Sequence, residues 1–193
     1  MLSQLWPALR INIFLTILLG IGYPLAVTGV SQILFPHQAN GSLITKNGQV
    51  IGSALIGQNF SKPEYFQPRP SAAGNDGYDA TASGGFNQGP TNQKLIDRVK
   101  AAVDKFHKDN PDYHGPIPAD LVTASASGLD PDISPASAEA QMPRVAKSRG
   151  ITEDQLKQVV AQNTAAPDLG ILGEPRVNVL QLNLALDRQY PKK

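Results

Sequence analysis

The chain has 193 residues, with 17 basic and 16 acidic side chains, a formal net charge of +1 at pH 7 and no cysteine. The absence of cysteine excludes disulfides and the lipid attachment of a bacterial lipoprotein. A nearly neutral chain with scattered charges offers no electrostatic basis for binding nucleic acid. Glycine and proline, 17 and 16 residues, predict short elements and long connections.

The first predicted element is a transmembrane helix over residues 11–35. No Asp, Glu, Lys or Arg lies between Ile11 and Thr45. At about 1.5 Å per residue, 25 helical residues span roughly 37 Å, more than the ~30 Å hydrocarbon core of a bilayer. A cleaved signal peptide is the alternative, with Arg10 as its positive start. The apolar stretch exceeds the usual ~7–15 residues and no Ala-x-Ala site follows, which favours a retained anchor.

The charges beside this helix predict its orientation. Arg10 precedes it, and the next charge is Lys46. The positive-inside rule therefore places residues 1–10 in the cytoplasm and residues 36–193 outside it as one extracytoplasmic domain. Within the helix, Gly22, Ala26 and Gly29 form a small-residue face suited to packing on a partner helix. Pro24 frees a backbone carbonyl and is expected to bend the helix.

A β-hairpin is predicted directly after the anchor. Residues 42–46 and 49–56 flank Asn47-Gly48, the dipeptide that favours a type I′ turn. Residues 57–92 look irregular, because Pro63, Pro68 and Pro70 interrupt any strand ladder. Loops of this length are usually functional or disordered.

The second half of the chain is predicted to be mostly helical. The apolar spacing predicts a helix from Thr91 to Asn110, with Asp104 and Lys108 paired one turn apart. Residues 120–124 are read as a short strand. Three further helices are predicted by their caps, over residues 134–149, 152–162 and from about 179 to 189, the last being ambiguous with a strand from Val177. The fold class is a single-pass membrane protein with one α+β domain.

No catalytic constellation is evident. The sequence has no phosphate-binding loop and no nucleophile elbow, and its three histidines lack the spacing of a metal site. Arg69, between two prolines, is a rigidly presented cation for which we expect an internal carboxylate partner in preference to one across an interface. Ser83, Gly84, Gly85 and Asn87 are weak candidates for a loop whose backbone N–H groups bind an anion or a carbonyl.

Read in order, the motifs resemble the C subunits of the bacterial Kdp potassium-transporting ATPase. The matching segments span almost the whole chain. They are Gly52-Ser53-x-Leu55-Ile56-Gly57-Gln58-x-Phe60, Tyr65-Phe66-x-x-Arg69-Pro70-Ser71-Ala72, Ser83-Gly84-Gly85-x-Asn87, residues 118–134, Arg144-Val145-Ala146 with Arg149-Gly150, and residues 177–187. Phe86 and Asp79 depart from the pattern, where a smaller residue and Asn are expected.

The resemblance implies a non-catalytic subunit of a pump in the bacterial inner membrane. Its implied partners are a channel-like potassium-translocating subunit, a P-type ATPase catalytic subunit and a small accessory subunit. Two roles are implied, namely stabilising the complex while covering the outer entrance of the channel-like subunit, and raising the ATP affinity of the ATPase subunit as a catalytic chaperone. ATP is therefore the one cofactor that the family implies. An extracytoplasmic Ser83-Gly84-Gly85 conflicts with cytoplasmic ATP, which favours the structural role. The alternative is a free-standing, membrane-anchored periplasmic enzyme or binding module.

Overall fold

A computed structural model describes residues 2–191. The outermost residues of the predicted cytoplasmic segment and extracytoplasmic domain, Met1, Lys192 and Lys193, lie outside the described residues. The chain divides into two compact units, residues 1–50 and residues 51–193. The first contains the apolar helix. The second contains a mixed helix-and-sheet domain, the α+β class that the sequence predicts, and it begins 15 residues after the predicted start at residue 36.

The first unit contains a helix of 30 residues, Leu5–Leu34, long and apolar enough to cross a membrane. A short 3₁₀ turn, Leu2–Gln4, precedes it, and the helix comprises α1 (Leu5–Ile17), a π-helical turn (Leu18–Gly22) and α2 (Tyr23–Leu34). It begins six residues before the predicted Ile11 and therefore includes Arg10. The Arg10 guanidinium lies 4.8 Å from the centre of the Trp6 ring, a cation–π contact within the helix.

The π-helical turn ends at Gly22, two residues before Pro24. Because proline has no N–H, the carbonyl of Gly20 cannot make its usual α-helical bond. The chain widens here, and the Tyr23 N–H donates to the carbonyl of Leu18, five residues back. The structure thus shows a π-helical turn near Pro24, while the predicted bend of the helix stays a prediction.

The predicted hairpin is confirmed. After the short helix α3 (Pro36–Ala39), strands β1 (Leu43–Lys46) and β2 (Gln49–Ser53) form a two-stranded sheet. Asn47 and Gly48 have φ angles of 53° and 79°, the two positive values that a type I′ turn requires. Strand β2 ends three residues before the predicted Ile56, although an isolated bridge joins Ser53 and Ile56. Residues 57–92 contain neither helix nor strand, as predicted.

Helix α4 (Gln93–Asp109) begins at the cap Asn92, whose side chain accepts from the Lys94 N–H. The ion pair on this helix joins Lys105 to Asp109, one position beyond the predicted Asp104–Lys108 pair. The predicted strand at 120–124 is wrong. A 3₁₀ turn (Ala119–Leu121) stands there, because the Asp120 carboxylate accepts from the Ser134 N–H and both the Ser134 and Ser137 hydroxyls.

The rest of the domain packs three helices on a small antiparallel sheet. Its strands are β3 (Asp132–Ile133), β4 (Thr164–Ala165) and β5 (Arg176–Asn178), in the order β3-β5-β4. The helices are α5 (Pro135–Arg149), α6 (Glu153–Gln162) and α7 (Val179–Gln189). All three begin at the caps that the sequence predicted, Ser134, Thr152 and Asn178, and Thr152 with Gln155 forms a full capping box. The alternation of apolar residues from Val177, which made this region ambiguous with a strand, arises because Val177 belongs to β5.

The hydrophobic core lies between these three helices and the sheet. Its largest fully buried apolar side chains are Phe66, Leu156, Leu182, Leu186, Val145, Val159 and Val177. All except Phe66 belong to regular elements. Phe66 comes from the irregular connection, so that connection is part of the core rather than a peripheral loop.

Candidate functional site

The segment 63–67 is held in place by side chains of α5, although it belongs to no strand. The Arg144 guanidinium donates to the carbonyls of Pro63 and Tyr65 at 2.6 and 2.9 Å. Arg149 donates to the carbonyl of Glu64 at 2.7 Å. Buried carbonyls require partners, and here two arginines supply them in place of a neighbouring strand.

Two side-chain amides complete this arrangement. Asn183 of α7 accepts from the Phe66 N–H and donates to the Phe66 carbonyl, both at 2.9 Å. Gln141 makes the same pair of bonds with Gln67, at 2.8 and 3.1 Å. Each amide thus reproduces the two bonds of a β-bridge. We call Gln141, Arg144, Arg149 and Asn183 the backbone clamp, since together they bond every carbonyl from residue 63 to residue 67.

Arg144 is a buried cation of the clamp, 8% exposed. Its remaining donors reach the side chains of Asn110 and Gln141, both at 2.8 Å. Burial lowers the pKa of Arg144 to about 10, against the opposing effect of the Asp109 charge. The guanidinium is therefore still charged at neutral pH, and hydrogen bonds to neutral oxygens compensate its charge.

The segment that the clamp holds ends at Gln67, two residues before Arg69. The clamp therefore positions Arg69. Arg69 donates to the Asp130 carboxylate at 2.7 Å, and the two side chains are 24% and 27% exposed. The predicted internal carboxylate partner is thus confirmed. The other Asp130 oxygen accepts from the Asp132 N–H, and the Tyr78 hydroxyl donates to the Arg69 carbonyl at 2.8 Å. Burial raises the pKa of Tyr78, and the Asp130 charge raises it further, so its hydroxyl remains a donor.

The Ser-Gly-Gly loop packs against a second loop of the same domain. The Gly84 N–H and the Ser83 hydroxyl both donate to the Ser127 carbonyl, at 2.8 and 3.0 Å. A Cβ on Gly85 would lie 2.9 Å from the Ala126 carbonyl oxygen. The carbonyl partner that the sequence allowed for this loop is therefore internal. We call residues 71–73, 83–85 and 125–128 the loop junction.

Gly128 closes the loop junction. Its φ of +66° favours glycine, and a Cβ there would lie 2.6 Å from the Gly84 carbonyl oxygen and 2.8 Å from the Ala73 nitrogen. The Ser71 hydroxyl donates to the Gly128 carbonyl at 2.6 Å and accepts from the N–H groups of Ala73 and Tyr78. The junction is thus a close-packed set of three loops held together by hydrogen bonds between their own backbone and serine side chains.

Asn87 lies away from the Ser83 and Gly84 contacts with Ser127. It has a φ of 49° and lines an open groove of about 480 Å³ beside α4, together with Gly85 and Phe86. The Arg98 guanidinium covers the Phe86 ring at 3.6 Å and donates to the Gln88 side chain at 2.6 Å. This cation–π contact gives the bulky Phe86 a packing role on α4.

The predicted helix face belongs to the first unit. Gly22 ends the π-helical turn, while Pro24, Ala26 and Gly29 lie in α2. All four are exposed, and a Cβ on Gly29 would meet no other atom within 4 Å. A larger side chain at Gly29 would therefore create no clash within the chain.

The described part of the chain contains no group of three His, Cys, Asp or Glu side chains that could hold a metal ion. Its best-organised polar arrangement is the clamp, whose side chains donate hydrogen bonds to backbone. Sequence reasoning missed Gln141, Arg144 and Asn183 as a set. Their signal was present, since each is a polar residue on a buried helix face whose other residues are mostly apolar.

Comparison with known proteins agrees with the resemblance noted in the sequence. The family model described as KdpC, K+-transporting ATPase, c chain, matches residues 5–188. The chain belongs to the KdpC family. Potassium-transporting ATPase KdpC subunits from Gemmatimonas aurantiaca, Rhodospirillum rubrum and Caulobacter vibrioides are 58%, 56% and 57% identical to it. These alignments cover 97–99% of this chain and 94–98% of the relatives.

The KdpC match covers both units of the structure. It begins at Leu5, the first residue of α1, and ends at Arg188, one residue before the end of α7. The apolar helix is therefore part of the family's sequence, and with the family name it indicates that the protein associates with membranes.

Proposed function

We propose that the protein is a non-catalytic accessory subunit of an ATP-driven potassium-uptake complex of the bacterial inner membrane. The family match over residues 5–188 carries this proposal, because it includes the apolar helix as well as the domain. The partners are a channel-like potassium-translocating subunit, a P-type ATPase subunit and a small accessory subunit. The helix anchors the chain with its N-terminus in the cytoplasm, in line with the positive charge of Arg10 near the N-terminal end of the helix.

The domain stabilises the complex and covers the outer entrance of the channel-like subunit. Its internal construction supports a structural role. The clamp and the loop junction direct polar side chains and loop N–H groups toward backbone carbonyls of the same domain. A domain fixed in this way presents a rigid outer surface, and a rigid surface loses little entropy on binding.

A catalytic-chaperone role acting on ATP affinity is the second function attributed to the family. Direct nucleotide contact through Ser83-Gly84-Gly85 is disfavoured, because the Gly84 N–H and the Ser83 hydroxyl already donate to Ser127. We propose that any effect on ATP hydrolysis is transmitted through the partner subunits.

Co-purification tests the proposal. A tag on this chain, in mildly solubilised membranes of its own host, should recover the two large partner subunits, identified by mass spectrometry. Potassium-stimulated ATP hydrolysis should accompany them and should fall when this chain is deleted. A lone stable monomer that turns over a small molecule would support the free-standing enzyme or binding module instead.

A further inference from the structure

Three large apolar side chains project from the loop between β4 and β5. Leu169, Ile171 and Leu172 are 89%, 82% and 56% exposed, whereas the core of the same domain is well covered. We call these three residues the apolar tip. Clustered exposed apolar side chains in a soluble domain mark sites of association.

The apolar tip is held in a defined conformation. Asp168 and Leu172 exchange both backbone hydrogen bonds, at 2.8 and 2.9 Å, and the Gly170 N–H donates to the Pro167 carbonyl. The loop starts from the β4–β5 pair, where Thr164 faces the fully buried Val177. The side chains are therefore presented on a hydrogen-bonded turn with a fixed base, as interface anchors are.

Leu169 adds a second observation. Its φ is +54°, a region that glycine and asparagine adopt readily and that leucine rarely adopts, because its Cβ crowds the backbone there. This backbone conformation does not help Leu169 to pack within the domain, because its side chain is 89% exposed. An apolar residue in a strained backbone position with no internal packing points to a contact outside the chain.

We infer that the apolar tip inserts into an apolar pocket on the surface of a partner subunit of the same ATPase complex; this inference rests on the proposed function. Asp168 and Glu174 flank the tip, so the rim of that pocket should carry basic side chains or hydrogen-bond donors. The Asp168 side chain is 73% exposed and available to such a rim, beyond its loose 3.8 Å contact with Arg176.

Two other occupants fit less well. Three aliphatic side chains cannot supply the roughly 800 Å² per partner that a stable interface buries, which argues against self-association through this patch alone. A bilayer surface is disfavoured, because the tip has no Trp, Tyr or Lys and its two flanking carboxylates would be repelled by anionic lipid headgroups. In a heteromeric complex, by contrast, the tip is one anchor within a larger interface.

The test uses the double variant Leu169→Asn with Ile171→Ser in the tagged full-length chain. Asparagine suits the positive φ, so the thermal stability of the purified chain should be unchanged or higher. Retention of the channel-like and ATPase subunits through a detergent wash should fall about tenfold. Leu55→Ser, at another exposed leucine of the domain, is the control and should retain the partners as the wild type does.

A photoreactive benzophenone in place of the Ile171 side chain gives a direct readout in native membranes. An adduct with a potassium-ATPase subunit, identified by mass spectrometry, is expected. Adducts only with lipid, only with a second copy of the chain, or with no protein would overturn the inference, as would wild-type retention by the double variant. If the wild-type chain itself recovers no ATPase subunit, the proposed function fails and the inference with it.

Discussion

At the scale of single residues, long polar side chains stabilise the domain through internal ion pairs and hydrogen bonds. Arg69 illustrates this, since its guanidinium and the Asp130 carboxylate are both about three-quarters covered. Partial burial makes such a pair stronger than a surface pair, because water and salt screen it less.

A double-mutant cycle on Arg69→Ala and Asp130→Ala should measure a coupling of about 1 kcal/mol in the free energy of unfolding. The readout is thermal or urea unfolding of the full-length chain in detergent, followed by circular dichroism. The exposed pair Lys147–Asp112, whose side chains are 73% and 49% exposed, is the matched control and should show a coupling near zero. Equal coupling energies in the two pairs would contradict the claim that partial burial strengthens the Arg69–Asp130 pair.

Gly128 permits the second residue-scale prediction. Gly128→Ala combines a positive φ with a Cβ that would clash with two backbone atoms, so it should destabilise the domain by about 3 kcal/mol. Gly89→Ala is the control, because it has neither problem, and should change stability by less than about 1 kcal/mol. The same unfolding experiment separates the two, and similar losses would refute the close packing of the loop junction.

At the scale of elements, local signals were the ones that sequence reading captured. The Asn47-Gly48 turn and the caps Ser134, Thr152 and Asn178 depend on residues within three or four positions, and all four lie where predicted. The sequence shows the clamp residues as polar positions on helices, but it does not show which backbone they bond, because segment 63–67 lies 74 to 117 positions away from them. The strand at 120–124 was wrongly predicted for a similar reason, because the bonds of Asp120 to Ser134 and Ser137 are not visible in the local sequence pattern.

Where a strand was expected, the Asp120 carboxylate makes a polar contact to the start of α5. This contact should make the stability of the domain depend on pH in the acidic range. Burial opposes ionisation of this carboxyl, but bonds from the Ser134 N–H and the Ser137 and Ser134 hydroxyls outweigh it and lower its pKa. A group whose pKa is lower in the folded chain stabilises it above the unfolded pKa, and this contribution is lost as pH falls through the folded value.

Asp120→Asn should therefore lower the melting temperature at pH 7, and the difference from the wild type should shrink below about pH 4. Melting temperatures between pH 7 and pH 2.5 test this. Asp154→Asn, at an exposed position in the first turn of α6, controls for general charge effects. A difference that stays constant down to pH 2.5 would contradict the assignment.

The small-residue face of the apolar helix gives the other element-scale prediction. Ala26→Leu with Gly29→Leu should reduce recovery of partner subunits without changing the helix itself, because nothing in the chain lies close to a Cβ at Gly29. Val27→Leu, on the other side of α2, is the control. Unchanged recovery of partners in the double variant would show that this face makes no essential contact.

At the scale of the whole molecule, topology decides which function is physically accessible. If residues 36–193 lie outside the cytoplasm, they never meet cytoplasmic ATP. Protease added to spheroplasts with an intact inner membrane should then digest the domain, while a tag at the N-terminus should remain protected.

The matching ligand measurement uses the full-length chain in detergent. Because the Gly84 N–H and the Ser83 hydroxyl already donate to the Ser127 carbonyl, calorimetry at physiological salt should find no saturable ATP binding. Protection of the domain from external protease, together with saturable binding that is lost in Ser83→Ala, would support the chaperone role by direct contact and would reverse the proposed topology.

The backbone clamp also has a consequence for the order in which the chain folds. Segment 63–67 gains its hydrogen bonds from α5 and α7, so it must remain unpaired until those helices have been synthesised and have docked. Phe66 meets Asn183 across 117 residues of sequence, and contacts of such separation form slowly because a long loop must close first. A nascent chain that ends before α7 therefore lacks a stable core, and the domain should acquire protection from proteases in one late, cooperative step.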